Sequence, residues 1–185
     1  MSNNALVLSV QQKVQDAIER TGHLIDLVPE DCLEWHPSPQ QGPGHFIDVG
    51  HVLGHLLSCF GGFCSVMLKA FPDKLAHFAD LQWLKTNYCC PPAEAAARLR
   101  SYSAFIDEGF LCCPDADLTR VIPTVLLPEG ETMLSLLLNN LEHLNHHKYQ
   151  LFVYLKLLGL PVGSRDLYRF HERKPETAQT ERSGS

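Results

Sequence analysis

The sequence of 185 residues has no unbroken apolar run near the roughly 20 residues that a membrane-spanning helix requires. Its purest stretches, such as Leu136–Leu138 and Leu151–Leu155, are far shorter, so no membrane segment is expected. CxxC pairs are absent, and the seven cysteines, at 32, 59, 64, 89, 90, 112 and 113, are odd in number. That excludes a secreted disulfide framework and a Cys-rich zinc module, and most of these side chains are expected as reduced thiols. Positive charge is in deficit: 15 Lys+Arg against 21 Asp+Glu give a formal charge of −6. A broad cationic footprint is therefore missing, and direct nucleic-acid binding is not expected. Met1-Ser2-Asn3-Asn4 carries neither a basic region nor a small-residue cleavage motif, which makes the cytoplasm the expected compartment.

What the chain does have is helical periodicity and histidine. With 45% apolar residues it can build one core. Leu6, Val10, Val14, Ala17, Ile18, Leu24, Ile25 and Val28 recur at helical spacing and predict a first helix over 5–28, with Asn4 as N-cap and Pro29 as its stop. Residues 29–44 hold four prolines and two glycines and read as a connector. A second helix is expected over 45–70. Gly50, Gly54, Gly61 and Gly62 lie inside it and imply close approach by another helix or a bend. A short helix near 80–86 precedes a third long helix that starts at Pro91-Pro92 and runs to about Phe110. A long crossover with an extended stretch at 118–127 leads to a fourth helix over 131–158, capped by Thr132 and ended by Gly159 and Pro161. The pattern predicts an all-α, mainly antiparallel four-helix bundle over 1–168, with its long crossover between helices three and four, and a polar, disordered tail over 169–185. Trp35 and Trp83 are expected to cover core edges.

Ten histidines are an unusual count, and two pairs have chemistry in their spacing. His143 and His147 lie one helical turn apart on one face, within reach of a single metal ion. Leu136, Asn140, Gln150, Leu151 and Tyr154 lie on or beside that face, so the pair is expected to point into the bundle. Helix two offers His51 and His55, also four apart, on a stripe with Asp48 and Cys59. Either histidine would complete a three-imidazole site with open coordination positions. Glu142 and Asp48 are candidate carboxylates for orienting the histidines.

The order Trp35-His36-Pro37, a His-Leu step in helix two, then His143-x-x-x-His147 followed by Lys148-Tyr149-Gln150, resembles the DinB/YfiT-like superfamily of metal-binding four-helix bundles. The resemblance runs to about Tyr168. It implies a metal held by His55, which Leu56 follows, together with His143 and His147. His51, Cys59 and Gln150 would then stand just behind the ligands, His51 as partner or proton carrier.

Imidazole ligands suit Zn or Ni, and three neutral ligands leave the ion its full charge, which activates a bound water or thiol. The resemblance implies thiol S-transferase-like chemistry on a small-molecule substrate, with a low-molecular-weight thiol as co-substrate, or metal-dependent hydrolysis as the alternative. A different class is a non-catalytic, stress-related metal-binding protein, in which Cys59 or His51 would close the coordination. Gly50, Gly54 and Gly61 would allow a homodimer to form through close helix contact.

Overall fold

The computed structural model describes residues 4–37, 47–124 and 128–168. The tail at 169–185 and the first residues expected in helix two lie outside them. Four long helices dominate: α1 (Ala5–Asp26), α2 (Val49–Ala70), α3 (Pro92–Leu111) and α4 (Met133–Leu157), followed by a short α5 (Ser164–Leu167) that the sequence pattern does not foretell.

α1 buries Val7, Val10, Val14, Ala17, Ile18, Leu24 and Ile25, the stripe its periodicity predicts. Its N-terminus is capped differently from expectation. The Asn4 side chain makes no cap bond. Instead the Asp115 carboxylate, in a 3-10 turn before α4, accepts from the backbone N–H groups of Leu6 at 3.2 Å and Val7 at 2.8 Å. A carboxylate there satisfies two orphan donors and faces the positive end of the helix dipole.

Contacts place α3 and α4 beside α1, and the same two beside α2, so α1 and α2 are diagonal. The paired positions give directions. Gln15 meets Asp107, and Gly22 faces Leu99, so α1 and α3 are antiparallel. Likewise His55 faces His143 and Gly62 faces Asn140, so α2 and α4 are antiparallel. Phe60 packs on Tyr102 while Met67 fills the space over Gly109, which makes α2 and α3 parallel neighbours. The bundle is thus less antiparallel than expected. The segment from Phe71 to Pro91, and not the long connection from α3 to α4, must therefore cross its full length, since α3 ends and α4 begins at the same end, where Cys113 meets Met133.

That crossing segment holds a 3-10 stretch, Ala76–Trp83, in place of the expected short helix. Trp83 does not cover the core; it is 85% exposed. Beyond it the chain lies along α2. Asn87 N–H donates to the Gly54 carbonyl at 3.0 Å and Cys90 N–H to the Gly50 carbonyl at 2.9 Å. A Cβ at Gly54 would overlap the backbone of Tyr88, and one at Gly50 would overlap Cys89 Sγ. These glycines therefore receive the chain's own loop, not another helix, and their buried face is not free for a second copy.

α2 is also the one helix among the described residues that is long and apolar enough to pass as a membrane span by length and composition, which the short unbroken runs do not suggest. Its apolarity has a local cause: it packs against both α3 and α4 and buries Val52, Leu53, Leu56, Leu57, Phe60 and Phe63. α4 begins as expected, with Thr132 Oγ1 accepting from Ser135 N–H. A two-residue ribbon, β1 (Val121–Ile122) with β2 (Glu131–Thr132), leads into it.

Candidate metal centre

The antiparallel pairing of α2 and α4 puts three imidazoles together. His55 Nε2 lies 3.1 Å from His143 Nε2. The His147 ring sits edge-on to both, with centroids 4.2 Å from His55 and 4.8 Å from His143.

The outer nitrogens decide which atoms face the centre. His147 Nδ1 is 2.8 Å from Gln150 Oε1. Gln150 Nε2 donates to the Tyr154 hydroxyl at 3.0 Å, and that hydroxyl donates to the Ile47 carbonyl at 3.0 Å. The chain of donors ends on a carbonyl, so the Gln150 amide oxygen must be the atom that faces His147, and His147 Nδ1 must carry its proton. Its Nε2 then keeps the lone pair. Asn87 stands likewise beside His55, with Oδ1 2.7 Å from His55 Nδ1 and its Nδ2 donating to Thr86 Oγ1 at 3.4 Å. Imidazoles that donate one N–H to a fixed oxygen and offer the other nitrogen are the usual form of metal-ligating histidine. His55 and His147 thus have the form in which imidazoles can hold a divalent ion, with His143 beside them.

Cys59 is the third donor of a competing set. Its Sγ is 3.8 Å from His143 Nδ1, and the donor atoms of His55, Cys59 and His143 all lie within 4.8 Å of one another. Burial pushes the Cys59 thiol up to about 12. It therefore stays a thiol at neutral pH and is a poor nucleophile on its own, but it can partner His143 from behind.

The site is more open than the sequence implies. His143 is exposed, and His55 and His147 are half-buried, so the histidines line a cleft at the bundle surface, not its interior. Burial still acts on two of them. It holds the proton affinity of His143 and of His147 below the ordinary imidazole range, with the neighbouring His55 adding to both.

His51 is not drawn into this group. Its Nδ1 lies 2.8 Å from both oxygens of Asp48, the N-cap of α2. Together with Cys89 they make a separate cluster one turn away. Glu142 approaches His146 at 3.9 Å, so neither candidate carboxylate orients a histidine of the centre. Asn87 is the residue that sequence reasoning misses. Its φ of 58° is a conformation Asn tolerates better than most side chains. Trp35 packs edge-on against Tyr154 at 5.5 Å, which links the connector to the Gln150 chain.

One turn further along α2, a cavity of about 290 Å³ opens between Ser58, Gly62, Ser65, Gln82 and Thr86. Its wall is uncharged and mixed, with Leu68, Phe78, Leu81 and Leu84 beside these polar groups. Thr86 adjoins Asn87, so the cavity borders the histidines.

No family model and no curated protein matches the sequence. Solved structures do. A DinB-like protein of Bacillus subtilis, YjoA, superposes with a TM-score of 0.62 at 18% identity, over 90% of this chain and 99% of its own. A DinB-like protein of Bacillus cereus gives 0.65 at 20% identity, over 83% of this chain and 93% of its own. The chain has the fold of the DinB-like proteins.

Proposed function

We propose that this protein is a metal-dependent enzyme of thiol S-transferase-like activity, with the ion held by His55, His143 and His147. A divalent ion bound to three neutral imidazoles lowers the pKa of a coordinated thiol or water and so supplies a nucleophile near neutral pH.

The chain's own residues do the remaining work. Asn87 and Gln150 fix the tautomers of His55 and His147. Cys59 supports His143 from behind as a neutral thiol. The exposed side of His143 leaves room for a fourth, exchangeable ligand, which a closed structural site lacks. The adjacent cavity, with Ser58 and Thr86 on its wall, receives the uncharged part of the acceptor substrate.

One observation favours thiol transfer over hydrolysis: among the described residues no carboxylate hydrogen-bonds to the three histidines. Metal-dependent hydrolases commonly pair the bound water with a carboxylate general base, as the Glu of H-E-x-x-H does, whereas a thiolate attacks without one once its proton is lost to solvent. The sulfur then bonds to an electrophilic carbon as a leaving group departs with the electron pair. In the test, Zn- and Ni-loaded and chelator-stripped protein is incubated with cysteine or glutathione and 1-chloro-2,4-dinitrobenzene, following thiol consumption and chloride release. Metal-dependent conjugation supports the reading. Metal-dependent ester cleavage without thiol moves it to hydrolase, and stoichiometric metal with no turnover of either kind makes the ion structural.

A further inference from the structure

Lys148 follows His147 directly, so it leaves α4 on a different side and enters the interface with α1. It is only 8% exposed. No described residue supplies it with a hydrogen-bond acceptor or an ion-pair partner. The stem is largely buried, while Nζ is not among the fully enclosed polar atoms, so it reaches the space beside α1, where an anionic acceptor would satisfy it.

Lys148 lines a cavity of about 450 Å³ between α1 and α4, together with Arg20 and Lys13. That volume suits a small organic molecule. Arg20 lines the same space; its Nε is enclosed and without a hydrogen-bond partner, so what the guanidinium offers the cavity is its charge. Its terminal nitrogens are engaged, one with Glu19 at 2.5 Å and one with the Arg165 carbonyl at 3.4 Å. Asp16 also faces the cavity and accepts from Gln12. Among the described residues, Lys13, Arg20 and Lys148 stand against Asp16 on the wall and Glu19 beside Arg20, so positive charge is in excess by one. The remaining wall is mixed, with Leu141, Leu167 and Tyr149 as its apolar part and Asn145 and His146 as polar groups at its side.

We propose that this cavity binds a small organic monoanion, a carboxylate on an apolar body, with the carboxylate at Lys148 and Arg20 and the body against Leu141 and Leu167. The single excess charge favours a monoanion over a phosphate dianion, and the apolar part of the wall favours an organic ligand over a mineral one. The site is separate from the histidine cleft and does not depend on the reading proposed for it.

The test uses the full, metal-loaded chain, titrated with benzoate, hexanoate and inorganic phosphate and followed by calorimetry and by thermal unfolding. One of the carboxylates is expected to bind saturably and raise the unfolding temperature, equally in His147→Ala, and to bind more tightly than phosphate. Lys148→Met is expected to weaken that binding by about tenfold or more, the scale of a lost charged hydrogen bond. It should keep its metal and, without ligand, unfold at the same or a higher temperature, because an apolar side chain of similar length fills the same largely buried position. The proposal fails if neither carboxylate binds saturably, if phosphate binds as tightly, or if binding is unchanged in Lys148→Met or lost in His147→Ala. It fails as well if Lys148→Met unfolds at a markedly lower temperature, since the ammonium would then serve the fold alone.

Discussion

Gln150 holds His147 by a 2.8 Å contact from its amide oxygen to Nδ1, and it is itself anchored at the other end by Tyr154. The tautomer of an imidazole in the centre is thereby set by a residue three positions along the same helix. Gln150→Leu removes the acceptor and is expected to cut metal affinity about 10–100-fold, the usual effect of losing such a partner. Gln150→Glu keeps an acceptor oxygen and should recover most of it. Competition against a chromogenic chelator measures both.

Asn87 plays the same part for His55 from a loop. Its positive φ suits glycine, so Asn87→Gly should keep the backbone path and global stability while weakening metal binding. Equal metal affinity in Asn87→Gly and the wild type, again by chelator competition, would remove Asn87 from the site.

Gly54→Ala is expected to be among the more damaging single substitutions, because the added methyl meets the Tyr88 backbone and not a side chain that can turn away. Overpacking of this kind costs about 1–3 kcal/mol. Urea unfolding should show that loss together with weaker metal binding, since the same loop carries Asn87.

Asp115→Ala removes the acceptor at the start of α1. Loss of a helix cap costs about 0.5–2 kcal/mol. Urea unfolding should report a loss in that range, with metal content unchanged.

For pH the sign follows from the lowered proton affinity of His143 and His147. The unfolded chain binds protons at the ordinary imidazole pKa of about 6.5, the folded chain only at lower pH. Above that value both states are neutral and nothing is lost. As pH falls through it, the unfolded state gains protons first and the apo protein loses stability. Metal release should occur in the same window, because protons compete for the same nitrogens. Unfolding temperature against pH, with and without metal, checks both, and a double His143→Gln, His147→Gln variant should flatten the apo curve.

How much of this is readable in the sequence depends on distance along the chain. α1, α3 and α4 are written in a 3.6-residue period, and Thr132 and Gly159 mark the ends of α4. The one-turn spacing of His143 and His147, and of His51 and His55, is local and therefore visible. Which helix-two histidine meets α4 is not, because it depends on how two remote helices rotate against each other. Asp48 settles it by holding His51 aside. Gly50 and Gly54 signal that something must approach α2, but not that the visitor is the loop around Asn87 and Cys89. The cap that Asp115 gives to α1 joins positions 109 residues apart and leaves no local mark. The parallel course of α2 and α3 is equally silent, since connections of similar length flank α3 on either side.

The central claim is that three imidazoles, and no cysteine, hold the ion. X-ray absorption at the metal edge of Zn- or Ni-loaded protein, recorded without added thiol, tests it most directly. The account predicts a shell of nitrogen and oxygen with the outer scattering of three imidazoles, unchanged in Cys59→Ala. A sulfur scatterer at about 2.3 Å that disappears in Cys59→Ala, with only two imidazoles, would contradict it and give the third position to Cys59.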